Sequence, residues 1–237
     1  MPRDQPYLKE VISKENSLET RYIKPPISKP RGLLLIISLA AFIALGLTVF
    51  LVPAIKSAAV AILLLAIITL LIIAIKQAQE PELSFTLTFM HIQFHSPSGG
   101  WLARWKNIAE IGPATIANQG WHQPIPWVGI RLKDYEEFLD AICPRIASKI
   151  LLEQRALLFL AYKRMDNPPH EIEDMLFDDT HYIGRSGKTF KGLLAMLANR
   201  MHYNRELLGY DFFISEDLLD RSTEDFVGLT RRYLAAS

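Results

Sequence analysis

Three patterns of hydrophobic and polar positions follow one another along this chain. From Leu33 to Val52 and from Ala58 to Ile75 the residues are almost all apolar, and the only charge between 33 and 75 is Lys56. At about 1.5 Å per residue, a helix of some 20 residues matches the hydrocarbon thickness of a bilayer. The two runs therefore predict two spans, 33–52 and 58–75, joined by the short break Pro53-Ala-Ile-Lys-Ser57. After residue 81 the period becomes two. Leu83, Phe85, Leu87 and Phe89 alternate with Ser84, Thr86 and Thr88, which predicts a strand with one buried face. His91–His95 and Trp101–Trp105 flank the turn cluster Ser96-Pro-Ser-Gly-Gly100 and predict a hairpin over 91–105. Ala114–Ile116 and Ile125–Leu132 predict further strands on either side of a loop over 117–124.

From residue 135 the period is helical. Tyr135, Phe138, Leu139 and Ile142 share a face behind Asp134, an expected N-cap. One long helix is predicted over 145–165, with Ala147, Ile150, Gln154, Leu157, Leu158 and Ala161 on a single stripe. Pro168-Pro169 opens a short helix that turns Ile172, Met175 and Leu176 inward. Another helix is predicted over 188–208, stopped by Gly209. A short strand over 210–214 and a last helix opening at Ser222, with Phe226, Leu229, Tyr233 and Leu234 inward, complete the chain. The domains expected are a tail over 1–31, a membrane hairpin over 32–76 and an α+β domain over 77–237. That domain divides into a β-rich part (82–134), a helical part (135–209) and a closing strand and helix (210–237).

Charge refines the placement. Residues 1–31 carry seven basic and four acidic side chains, whereas residues 77–237 carry 17 basic and 21 acidic ones. Basic residues flanking a membrane segment favour the cytoplasmic side, so both termini are expected there, with 53–57 on the far side. Ala40, Ala44 and Thr48 form a small-residue stripe that could pack on the second helix or on another copy of the chain, which would make a homo-oligomer. An acidic globular part speaks against nucleic acid as a partner, because such binding neutralises phosphates. The single cysteine, Cys143, excludes an intrachain disulfide and a cysteine-cluster zinc site; it is expected as a buried thiol.

The order of elements, with the phrases Trp105-Lys-Asn-Ile108-Ala-Glu-Ile111, Val128-Gly-Ile-Arg-Leu-Lys-Asp134 and Leu208-Gly-Tyr-Asp211, resembles an uncharacterised gammaproteobacterial family of two-span inner-membrane proteins with a pleckstrin-homology-like cytoplasmic domain. Asn204, Ile214-Ser215 and Leu218-Leu-Asp220-Arg-Ser222 add to the resemblance, which covers roughly 32–134 and 200–236. It implies an α+β fold class: a transmembrane helical hairpin, then a pleckstrin-homology-like antiparallel β domain with a helical insertion and a C-terminal helix. None of its phrases is catalytic, and residues 140–190 are more helical than such a domain requires.

Chemistry is sparse. Gly184-Arg-Ser-Gly-Lys-Thr189 resembles part of a P-loop, but the first glycine of that motif would fall on Tyr182 and no apolar strand precedes it. Arg185, Lys188 and Lys191 are the candidate anion- or lipid-binding residues, with Lys188 and Lys191 expected three apart on one helix near its N-terminus. His170 and Asp174 share a face in an acidic, histidine-rich stretch over 170–181, but without HExxH, and no metal site is assigned. His91 and His95 are expected on one strand face, half exposed. Trp101 and Trp105 are expected in the core, and Trp121 and Trp127 either there or at a membrane interface. No nucleophile motif and no cofactor motif is present. The expectation is a non-enzymatic binding or scaffold module at the bacterial inner membrane, with the bilayer and an unidentified protein as partners. The rivals are an anion- or metal-using enzyme with its site in 170–191, and a small-ligand sensor.

Overall fold

The computed structural model describes residues 19–25, 33–51, 57–78, 81–118, 121–165 and 170–237, with side chains of the two long apolar helices described over 36–48 and 60–76. All of the expected link 53–57 but Ser57, most of the tail over 1–31 and the pair Pro168-Pro169 lie outside the described residues. The chain divides into two units, one of residues Met1–Pro26 and Leu83–Ser237, the other Ile27–Glu82.

The smaller unit holds helices α1 (Leu33–Leu51) and α2 (Ser57–Ala78), which pack on each other. Among the described residues no helix is long and apolar enough to cross a membrane. The expectation of a transmembrane hairpin over 33–52 and 58–75 is corrected accordingly. The small-residue stripe also moves. Ala40, Ala44 and Thr48 are exposed, and Ser38 and Ala74 are the buried residues among those described in the pair. The Thr48 and Thr69 hydroxyls donate to the helix carbonyls of Leu45 and Leu65, both at 2.8 Å, so neither adds an unmet polar group to the apolar surface.

The larger unit is built on two antiparallel sheets. The first has the order β1-β2-β3-β4, from β1 (Arg21–Ile23), β2 (Phe85–Leu87), β3 (His91–Ser96) and β4 (Gly99–Arg104). The second has the order β5-β6-β9, from β5 (Ile108–Asn118), β6 (Trp121–Leu132) and β9 (Phe212–Ser215). A small hairpin, β7 (Tyr182–Ile183) and β8 (Thr189–Phe190), stands apart from both. Helices α3 (Tyr135–Ala141), α4 (Pro144–Glu153), α5 (Arg155–Tyr162), α6 (Ile172–Phe177) and α7 (Leu193–Leu208) lie in sequence between β6 and β9, and α8 (Thr223–Ala235) closes the chain. This α+β arrangement replaces the expected pleckstrin-homology-like description.

Alternation decides the first sheet. Ile92 and Phe94 of β3 and Trp101 and Ala103 of β4 point inward, while His91, Gln93 and His95 stay half-buried. The inward rings interlock: Trp101 meets Phe212 edge-on at 5.2 Å, and Phe138 stacks on Phe212 at 4.8 Å. Trp105 is fully buried in the 3₁₀ turn between the sheets and stacks on Tyr233 of α8.

Several elements differ from the sequence pattern, each for an identifiable physical reason. The strand expected to run through Phe89 stops at Leu87, because the Thr88 hydroxyl accepts from the backbone N–H groups of Met90 and His91 and turns the chain there. Phe89 and Met90 are exposed. The tail contributes β1, with Ile23 buried and paired with Phe85. The expected loop over 117–124 is instead the far part of a long ribbon, where Thr115 pairs with Pro124. Prolines are tolerated there because β9 covers β6 only over Trp127–Ile130, so their missing N–H groups fall on an open edge.

The long helix expected over 145–165 breaks at Gln154, and the reason lies in β9. The Gln154 amide donates to the Phe213 carbonyl at 2.8 Å and accepts from the Phe213 N–H at 3.1 Å. It thus stands in for a neighbouring strand at one residue of an edge. Gln154 is buried, with φ −90° and ψ 1°. A Gln154→Leu chain keeps the volume but strands two buried backbone groups, at about 1–1.5 kcal/mol each. The expected loss is about 2–3 kcal/mol, read as a lower thermal midpoint of the near-ultraviolet circular dichroism; Gln154→Glu, which sets a second oxygen against the Phe213 carbonyl in the interior, should also destabilise.

Candidate functional site

Four segments of the larger unit converge at one cleft of about 360 Å³. The junction of β6 and α3 supplies Lys133, Asp134 and Tyr135; β7 supplies Tyr182; the β7–β8 turn supplies Arg185; and α7 supplies Asn199, His202 and Arg205. Asn199, His202 and Arg205 recur every three residues, a polar strip beside the apolar stripe that holds α7 to the core.

Two of the lining residues, Tyr135 and Arg205, are held by a buried carboxylate. Asp211 is fully buried and accepts four hydrogen bonds: from Arg205 Nε and Nη2 at 2.6 Å each, from the Tyr135 hydroxyl at 2.7 Å and from the Leu132 N–H at 2.6 Å. Arg205 also donates to the Leu132 carbonyl and lies over the Tyr135 ring. The Asp211 carbonyl in turn accepts from Asn204 of α7. One side chain thereby joins the end of β6, the start of α3, α7 and the entry to β9. Burial, then the charge and hydrogen bond of Asp211, push the Tyr135 phenol far above its ordinary range. The hydrogen bond to Asp211 raises the Arg205 guanidinium further.

Tyr210 fixes the other side of the same corner. Its ring lies over Gly129, where a Cβ would sit 2.2 Å from the ring, and its hydroxyl lies over Gly112, the register partner of Gly129. The glycines serve close approach of a ring to two strands.

Of the candidate anion residues, the structure brings Arg185 alone into the cleft. Gly184–Lys188 is a hairpin turn closed by Gly184 N–H to the Lys188 carbonyl at 2.8 Å and Gly187 N–H to the Gly184 carbonyl at 3.0 Å. Lys188 pairs with Asp140 at 2.6 Å. Lys191 is exposed and precedes α7, which starts at Leu193 behind Gly192. The expected i, i+3 relation on one helix face is corrected, because Thr189 and Phe190 pair with Ile183 and Tyr182 as strand. Arg185 donates to the Lys133 carbonyl at 2.8 Å and stands 4.0 Å from Asp134. Ser186 donates through its N–H and hydroxyl to Glu136, and those bonds pull the Glu136 carboxyl below its ordinary range.

The remaining candidates lie elsewhere. Among the described residues no group of three or more His, Cys, Asp or Glu could hold a metal ion. His170 packs edge-on to Tyr203, and Asp178 accepts from Thr180 and Tyr203. His91 and His95 meet the hydroxyls of Thr88 and Thr86. Cys143 is half-exposed at the N-cap of α4, where a buried thiol was expected, because the Ser98–Gly99 turn covers only one side of it. Trp101 and Trp105 are in the core, Trp127 is half-buried, and Trp121 is 81% exposed at the ribbon's end. Sequence reasoning missed Tyr135, Tyr182, His202 and Arg205 as cleft residues. The polar strip on α7 was readable, but any solvated helix face looks the same.

The structure thus defines a class: an α+β domain of two antiparallel sheets, with an inserted helical layer that builds a cation-lined cleft over a buried Arg–Asp pair. The chain belongs to the family described as "Protein of unknown function (DUF2982)", whose model matches residues 85–236. No curated protein and no solved structure matches the chain.

Proposed function

We propose that this chain is a non-enzymatic binding or scaffold module held at the bacterial inner membrane by its apolar helix pair, with the larger unit at the cytoplasmic face. The observation that carries this is the surface of α1 and α2. Ile36, Leu39, Phe42, Ile43 and Leu47 of α1 are exposed, as are Ile62, Leu65, Ile68, Ile72 and Ile73 of α2. So much contiguous apolar surface in water is unfavourable and marks a contact with lipid or protein. Contact with the hydrocarbon layer, not passage across it, is what these faces call for. The pair is inserted between β1 and β2, whose residues Ile23 and Phe85 are register partners, so both connections leave one sheet side by side. The basic residues before α1 and Lys76 in the last turn of α2 favour the anionic cytoplasmic face for both connections.

Flotation tests the attachment. The full chain should rise with phosphatidylcholine vesicles through a density gradient, and should still do so at 1 M salt, where the Debye length is about 3 Å and surface electrostatics are screened. A chain with residues 27–82 replaced by a short Gly-Ser linker should stay at the bottom. A full chain that stays there too overturns the proposal.

A further inference from the structure

The cleft lined by Arg185 and Arg205 has more hydrogen-bond donors than the protein uses. Arg185 and Arg205 each keep Nη1 without a partner among the described residues. Lys133 Nζ makes one bond, to the Lys106 carbonyl, and keeps two N–H groups. The Tyr182 hydroxyl has no partner among the described residues; burial, then Asp134, raise its phenol above the ordinary range, so it remains a donor. The carboxylates are by contrast engaged. Asp211 is fully used, and Asp134 accepts the Glu136 N–H as the cap of α3 while its other oxygen faces Arg185.

We propose that this cleft binds a phosphate monoester group. The residues that carry these donors line the space from four directions, the β6–α3 junction, β7, the β7–β8 turn and α7, which suits the tetrahedrally placed oxygens of a phosphate better than the two coplanar oxygens of a carboxylate. The free Nη1 group of each guanidinium is a charge-assisted donor of the kind that phosphate oxygens accept strongly. The volume of about 360 Å³ lies in the range of small-molecule sites and leaves room for the carbon atoms that bear the ester. The Tyr135 and Tyr182 rings, 5.8 Å apart, offer an apolar wall to that part. The group could arrive on a soluble metabolite or on a lipid headgroup, and the chemistry of recognition is the same. This inference rests on the reading of the larger unit as a binding module and names what it binds.

Protection of Arg185 from phenylglyoxal, read by mass spectrometry on the full chain in phosphatidylcholine nanodiscs, tests it. Added glycerol 3-phosphate should protect Arg185 in a saturable way if the group is taken from solution. Nanodiscs containing phosphatidic acid should protect it with nothing added if the group is a headgroup. Either result supports the site. Arg145, exposed on α4 and outside the cleft, should label equally throughout. Lys133→Gln, which leaves the Arg205–Asp211 pair intact, should raise the half-protecting concentration of glycerol 3-phosphate, or the fraction of phosphatidic acid required, at least tenfold. Equal labelling of Arg185 in all three conditions, or protection unchanged by Lys133→Gln, overturns the proposal and leaves the flotation result standing.

Discussion

An Asp211→Ala chain should lose about 3–5 kcal/mol of stability, the range found when one partner of a buried ion pair is removed. The loss has identifiable parts. Arg205, 36% exposed through its side chain, would keep its charge at the edge of a hole, while the Tyr135 hydroxyl and the Leu132 N–H would lose their acceptor in the interior. Asp211→Asn tests the same point with little change in volume. Its amide presents two N–H groups to a site filled with donors, so it should also destabilise, by less than the alanine. In a domain of this size about 1 kcal/mol shifts the midpoint by 2–4 °C, so Asp211→Ala should melt roughly 6–20 °C lower by near-ultraviolet circular dichroism. A midpoint within about 2 °C of wild type would show that the carboxylate does not hold the corner. The phosphate site gives an independent reading of the same substitution. Arg205, no longer held by Asp211, should swing, and glycerol 3-phosphate should protect Arg185 less well even below the melting transition.

The periodic elements were legible because burial on one face repeats every two or 3.6 residues whatever lies beyond. The β3–β4 hairpin, α3 behind its Asp134 cap and α8 behind Ser222 follow from spacing and capping alone. Several failures arise where a group outside the local pattern decides the conformation. Gln154 sits on an apolar stripe, and nothing local says that its amide will bond to residue 213 and break the helix. Thr189 and Phe190 read as the start of a helix, and only pairing with Tyr182–Ile183 across the Gly184–Lys188 turn makes them strand. The phrase Gly209-Tyr210-Asp211 was noticeable as a phrase, but its chemistry needed Gly112, Gly129, Leu132, Tyr135 and Arg205, up to 99 residues away, all within reach. The cleft was hidden for the same reason. Its basic residues come from three elements, and the local cluster Arg185, Lys188, Lys191 drew attention to two lysines that lie outside it. The apolar runs were conspicuous, and here the inference from hydropathy to passage across a bilayer went further than the described helices allow.

Trp105→Ala should be as damaging as the loss of Asp211, by a different route. The ring is fully buried, and large aromatic deletions in a core cost about 3–5 kcal/mol through lost transfer free energy and the cavity left behind. Trp105 also carries a polar contact, since its indole N–H donates to the Thr88 carbonyl at 2.8 Å, at the turn where β2 ends early. On the other side the ring stacks on Tyr233 at 5.5 Å, and the Tyr233 hydroxyl donates to the Glu19 carbonyl, next to β1. The indole therefore joins the β2–β3 turn, the C-terminal helix and the strand that leads into the apolar pair. Two variants separate these contributions. Trp105→Phe keeps most of the stacking and strands one carbonyl, so it should lose only about 1–2 kcal/mol. Tyr233→Phe keeps the stacking and releases Glu19, so β1 should become labile while the rest of the core holds. Scanning calorimetry reads the first pair of values without relying on tryptophan fluorescence, and amide hydrogen exchange at Arg21–Ile23 reads the second. If Trp105→Ala melts with wild type, the ring does not hold the two sheets together. If exchange at β1 is unchanged in Tyr233→Phe, the edge strand is held by its pairing with β2 alone.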